Sequence, residues 1–149
     1  MSKQQSIAAL EGILAYSFED PNISWLALQA AGSGIGGPDG NKTLAMIGDA
    51  IMKFILVVDL AKRGLSRGAI DSTTQLIVSN NNVAQVCNDT GITQCINGNP
   101  SQLGVQSPKT RAATVEAILA AVFQDSGNDI DEVRRVMNIL GLNALGGTG

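Results

Sequence analysis

The chain has 149 residues, enough for one domain with its own hydrophobic core and too few for two ordinary ones. Apolar residues make up 44% and aromatic ones only 3%, so the core must be built from Ala, Ile, Leu, Val and Met, which suits closely packed helices. A net charge of −3 opposes tight sequence-independent binding to phosphates, and the absence of histidine excludes histidine-based catalysis.

Residues 1–6 are expected to be a disordered start, and no targeting signal is seen in Met1-Ser2-Lys3-Gln4-Gln5. Residues 7–142 are expected to form the folded domain. Its first segment, 7–14, places Ile7, Leu10, Ile13 and Leu14 at helical spacing. Asp20-Pro21-Asn22 then breaks the pattern, and Asn22 can cap a second helix over 23–31. The glycine-rich run 32–40 reads as a loop. Gly32, Gly34 and Gly37 formally match a dinucleotide pattern, but a helix rather than a strand precedes them, so no nucleotide site is assigned.

The longest helix is expected over 43–63, apolar nearly all round, as in a bundle centre or a subunit interface. Gly64 closes it, and Ser66 or a nearby polar residue opens the next helix, which runs to about residue 78. Asn82 can cap a further helix that Gly91 ends. Residues 93–107 are rich in Asn, Gly, Pro and Ser and read as an irregular excursion. Strong helical periodicity returns over 109–125, and Asp129 or Asp131 starts a last helix ending near Leu142. Residues 143–149 are expected to be a flexible tail, too short for an appended RNA-binding module.

Cys87 and Cys95 stand eight apart without a Cys-x-x-Cys spacing and are expected to be free and reduced, so a zinc site is excluded. No run approaches the roughly 20 apolar residues of a membrane helix. The chain is therefore expected to be intracellular, cytoplasmic or organellar, with no membrane partner. Asn22, Asn41 and Asn88 match the N-glycosylation tripeptide but carry no weight in that setting. The basic groups Lys62, Arg63 and Arg67, Lys109 and Arg111, and Arg134 and Arg135 are read as solvated helix faces rather than as an RNA patch.

Four strings in register carry a resemblance. Leu14-Ala15-Tyr16-Ser17-Phe18 is similar to a Leu-Gly-Tyr-x-Phe element. Asn41-Lys42-Thr43-Leu44-Ala45-Met46-Ile47-Gly48-Asp49-Ala50 is similar to Asn-Glu-Arg-Leu-Glu-Phe-Leu-Gly-Asp-Ala. Leu76-Ile77-Val78-Ser79-Asn80 matches Leu-Val-Ser-Asn, and Ala112 to Ala117 resembles Ala-Asp-x-Val-Glu-Ala. Together they resemble the ribonuclease III domain family over most of the chain. The resemblance implies an all-α, ribonuclease III-type helical domain that dimerises through the signature helix. It further implies four carboxylates that hold Mg²⁺ for cleavage of double-stranded RNA.

Two of those acids are replaced. Positions 45 and 49, and 113 and 116, lie on common helix faces, but here they are Ala45 with Asp49 and Ala113 with Glu116. Asp49 and Glu116 are thus the candidate catalytic and metal-binding residues, and no other cofactor-binding residue is assigned. Mg²⁺ keeps several waters and often uses one or two carboxylates, so its binding is weakened rather than forbidden. A structural reading instead ties Asp49 to Lys109 or a backbone group and Glu116 to a nearby arginine. Met46 stands where the family's wedge aromatic enters the partner subunit.

The reading preferred from sequence is a catalytically impaired, dimeric scaffold, a pseudoenzyme associated with RNA or a ribonucleoprotein. The alternative is a metal-dependent double-stranded-RNA endoribonuclease using Asp49 and Glu116. A protein-binding helical module fits the charge best and the motifs least. No DNA partner is expected.

Overall fold

A computed structural model describes residues 1–98, 104 and 106–144. Among them seven α-helices occur: α1 (Lys3–Leu14), α2 (Pro21–Ala27), α3 (Lys42–Lys62), α4 (Arg67–Val78), α5 (Asn80–Thr90), α6 (Pro108–Asp125) and α7 (Ile130–Leu140). A single 3₁₀ turn, Ile92–Cys95, follows α5, and one isolated parallel bridge joins Gln29 to Asn97. The all-helical expectation holds.

Several boundaries move, each for a local reason. The expected disordered start is instead helical from Lys3, because Ser2 and Gln5 form a reciprocal capping box that satisfies the first N–H groups. Asp20, not Asn22, caps α2, and Pro21 takes the first helical position, where a missing N–H costs nothing. Ser79 caps α5 by accepting from the Asn82 N–H, so that helix starts two residues before the expected cap. Part of the 93–107 excursion and most of the expected tail lie outside the described residues.

The core is organised around α6. Eight apolar residues of this helix are buried (Ala112, Val115, Ala117 to Val122), so it is enclosed on nearly every side, by α2, α3, α5 and α7. Four of them are alanines, which let neighbouring backbones come close where larger side chains would hold them apart. Leu10 and Leu14 from α1, Met52, Ile55 and Leu56 from α3, Val83 and Cys87 from α5, and Val133, Val136 and Met137 from α7 complete one continuous cluster.

Buried polar groups tie the loops to this core. The Asn41 amide donates to the Ala27 carbonyl at 2.8 Å and to the Thr114 hydroxyl at 3.2 Å, anchoring the start of α3 against α2 and α6. The Gln29 carbonyl accepts from the Asn41 N–H at 2.9 Å, across a gap that only glycine at position 40 permits. A Cβ there would fall 2.6 Å from the Gln29 carbonyl oxygen, and the residue has φ +57°. The glycine-rich loop thus serves chain reversal, and a helix does precede it, as expected.

Asp125, at the end of α6, receives the Tyr16 hydroxyl at 2.7 Å and the N–H groups of Asp20 at 2.9 Å and Glu19 at 3.0 Å. Desolvation pushes its carboxyl up, but these three donors outweigh it and hold the group below the ordinary carboxylate range. The ionised form is therefore favoured by folding. Its contribution is present above the unfolded value near 3.8 and is lost as pH falls through the lower folded value. Asp125→Asn is expected to cost about 2 kcal/mol at neutral pH, with the difference from the parent shrinking as pH falls below 3.8 in urea titrations.

Arg134 and Arg135 are engaged as the solvated-face reading expects. Arg134 holds Asp59 at 3.1 Å and Asp131 at 2.6 Å. Arg135 pairs with Glu132 and donates to the carbonyls of Leu14 and Ala15. Both cations are thus balanced by acids or carbonyls of the same chain.

Candidate active site

The site lies where α3 crosses α6. At Gly48 the contact is between backbones: a Cβ placed there would fall 1.7 Å from the Glu116 carbonyl oxygen. No side chain of any size fits, so glycine is what allows Asp49, one residue on, to reach the side chain of Glu116. The Glu116 and Asp49 side chains come within hydrogen-bonding reach of each other. The two sequence-selected acids, 67 positions apart, are brought together.

Their surroundings are poor in compensating charge. Desolvation is the main cause that pushes Glu116 up, to about 8, joined by the hydrogen bond to Asp49 and repulsion from its charge. Only Lys53 pulls the other way. The Lys53 ammonium donates to Asp49 Oδ2 at 3.0 Å, one helical turn further along α3. The structural partners expected for these acids are not the ones found: Asp49 pairs with Lys53 rather than Lys109, and Glu116 faces Asp49 rather than an arginine.

Ala45 is buried and Ala113 half-buried, and both pack into the hydrophobic cluster. Among the described residues no third acidic or cysteine side chain joins the pair. The donor set is therefore two carboxylates with solvent access, which fits a Mg²⁺ ion that keeps several waters and takes its remaining ligands from a substrate. It does not fit a closed site built from protein ligands alone.

A family model describing the ribonuclease III domain matches residues 42–127, a segment that contains both helices of this crossing. The chain belongs to the ribonuclease III domain family. It is 26% identical over 136 residues to ribonuclease 3 of Photorhabdus laumondii, covering 88% of this chain and 58% of that protein. It is 29% identical over 139 residues to ribonuclease 3 of Vibrio atlanticus, with the same two coverages. The chain thus spans 58% of the length of these relatives. The fold is similar to two solved structures of the nuclease domain of ribonuclease III from Campylobacter jejuni, each 20% identical in sequence. TM-scores are 0.76, covering 92% of this chain and 97% of that one, and 0.72, covering 90% and 92%.

Two residues at this crossing carried no assignment from sequence. Lys53 sits four residues after Asp49, a spacing that places acid and base on one helix face and could have flagged it. Gly48 lies inside the signature string but carries no chemistry of its own. Its role is visible only once α6 is beside it.

α3 also explains its own all-round apolar character. One face, with Met52, Ile55, Leu56 and Leu60, is buried in the core. The opposite face leaves Met46 74%, Phe54 56% and Val57 42% exposed, with Ala50 exposed between them. This apolar stripe runs beside Asp49 and Lys53.

Proposed function

We propose that this domain is a metal-dependent endoribonuclease acting inside the cell on double-stranded RNA, with Asp49 and Glu116 as its protein ligands to Mg²⁺. The observation that carries this reading is the convergence of two carboxylates that share a single lysine as their cationic partner among the described residues. A half-buried acid pair with one lysine for compensation opposes folding, and such unfavourable arrangements concentrate at functional sites. Kinship with proteins named ribonuclease 3 points the same way.

In this reading Gly48 brings α3 against α6, and Asp49 and Glu116 offer oxygen ligands from the two helices at their crossing. Mg²⁺ bound there would activate a water and stabilise charge developing on the phosphodiester. Duplex cutting that requires Mg²⁺ or Mn²⁺ and disappears in Asp49→Asn supports the proposal.

A second reading, the catalytically impaired scaffold preferred from sequence, is favoured by one observation: Ala45 and Ala113 fill two acidic positions of the family pattern with packed methyl groups. Absence of cutting, with protein in excess over an end-labelled RNA duplex and either ion present, decides for it.

We further propose that a second copy of the chain covers the stripe formed by Met46, Ala50, Phe54 and Val57. Single exposed apolar residues are common, but an aligned row on one helix marks an interface. Phe54→Asp is expected to weaken self-association by at least about a hundredfold, equivalent to roughly 3 kcal/mol, in sedimentation equilibrium. An unchanged monomer–dimer constant would remove this face from the interface.

A further inference from the structure

We propose that Lys53 is a phosphate-binding residue of the site, its ammonium contacting a phosphodiester oxygen of the RNA beside the metal-binding carboxylates. The inference rests on the nuclease reading above and deepens it.

The position is favourable. Nζ lies 3.0 Å from Asp49 Oδ2, and the side chain remains 45% exposed, so the ammonium is both tethered to the acid pair and open to an incoming ligand. Asp at i with Lys at i+4 is the favourable orientation of a helical ion pair, which holds the otherwise flexible lysine stem at the site. Among the described residues, Lys53 is the cation whose charge also bears on Glu116.

Charge balance gives the ammonium a purpose. With both carboxylates ionised, the cluster of Asp49, Glu116 and Lys53 carries one net negative charge. A divalent cation on the carboxylates leaves one net positive charge, which matches one phosphodiester. With only two acids present, a second divalent ion has too few ligands, and a fixed ammonium is the available substitute for its charge. An ordinary exposed ion pair would contribute little to the helix and nothing to RNA binding.

The test measures binding of a short fluorescein-labelled RNA duplex by anisotropy across a salt series, with Ca²⁺ as an ion that takes the same oxygen donors. Lys53→Met is expected to weaken binding about fivefold to tenfold and to reduce the slope of log affinity against log salt by about one phosphate contact. Lys53→Arg should keep the parental slope. In the absence of RNA, Mn²⁺ binding followed by electron paramagnetic resonance should tighten in Lys53→Met, because a competing cation has gone.

Tighter Mn²⁺ binding with an unchanged duplex affinity and salt slope would overturn the proposal and leave Lys53 a counter-ion of Asp49. That result leaves the nuclease reading intact, since the parent still binds RNA. A parent chain that shows no salt-dependent duplex binding overturns both.

Discussion

Gly48→Ala is expected to destabilise the domain by more than about 4 kcal/mol, lowering Tm by roughly 10–15 °C. The added Cβ would sit 1.7 Å from the Glu116 carbonyl oxygen, well inside van der Waals contact. Both sides of this clash are helical backbone, so no rotamer change relieves it. α3 and α6 would have to separate, opening the buried cluster to which α3 contributes Leu44, Met52, Ile55 and Leu56 and α6 contributes Ala112, Val115 and Leu119. Opening that contact exposes apolar surface at about 25 cal/mol per Å² and leaves voids that neighbouring side chains cannot refill. Gly68→Ala in α4 is the control. Nothing lies within 4 Å of its added methyl, so it should stabilise by about 0.5–1 kcal/mol through helix propensity. Thermal melts of the two variants beside the parent check the result, and a Gly48→Ala melt within a degree of the parent would rule out so close a crossing.

Glu116→Gln carries two expectations that point in opposite directions. Metal-dependent cleavage should fall by at least about a hundredfold, the size of effect that follows loss of even an outer-shell partner at a metal site. The amide keeps the shape of the side chain but removes half of the ionic ligand set. Stability should rise instead. The Glu116 carboxyl is raised from an ordinary 4.5 to about 8 in the folded state, by burial first and then by Asp49, so the folded chain holds this proton more tightly than the unfolded chain does.

It follows that the parent is best stabilised at this position below about pH 4.5 and loses that stabilisation as pH rises through about 8. Glutamine does not titrate. With metal chelated, the variant should exceed the parent by on the order of 1–2 kcal/mol near pH 9, after discounting for the partial exposure of the site, and converge with it near pH 4. Guanidinium titrations at the two pH values measure this. A variant that loses cleavage while gaining stability at high pH identifies Glu116 as an acid retained for chemistry. One that loses stability at every pH would mean that the carboxylate supports the fold.

Much of the architecture was legible from local pattern. Helix periodicity located α3, α4 and α6 to within a residue or two, because each carries an apolar repeat, and Gly64 and Ser66 mark the junction of the first two. The early start of α1 was missed because a Ser-x-x-Gln capping box can stabilise polar residues that carry no apolar periodicity. Asn41 was legible as part of the signature string. That its amide spans from Ala27 to Thr114 was not, since both partners are set by packing.

By itself the sequence determined the all-helical class, the family resemblance and the identity of Asp49 and Glu116 as the two acids that remain. These depend on residue type and on spacings of three or four along a helix, which propagate locally. Only the tertiary structure decided how those acids meet. Whether Asp49 faced Lys109, a backbone group or Glu116 depended on the angle and closeness of the α3–α6 crossing. That crossing is set by glycine at 48 and by the small residues of α6, all of them acting across long separations in the chain. The same packing decided that α3 is both core and surface, because one of its faces is consumed by α6 while the other, with Phe54 and Met46, is left exposed.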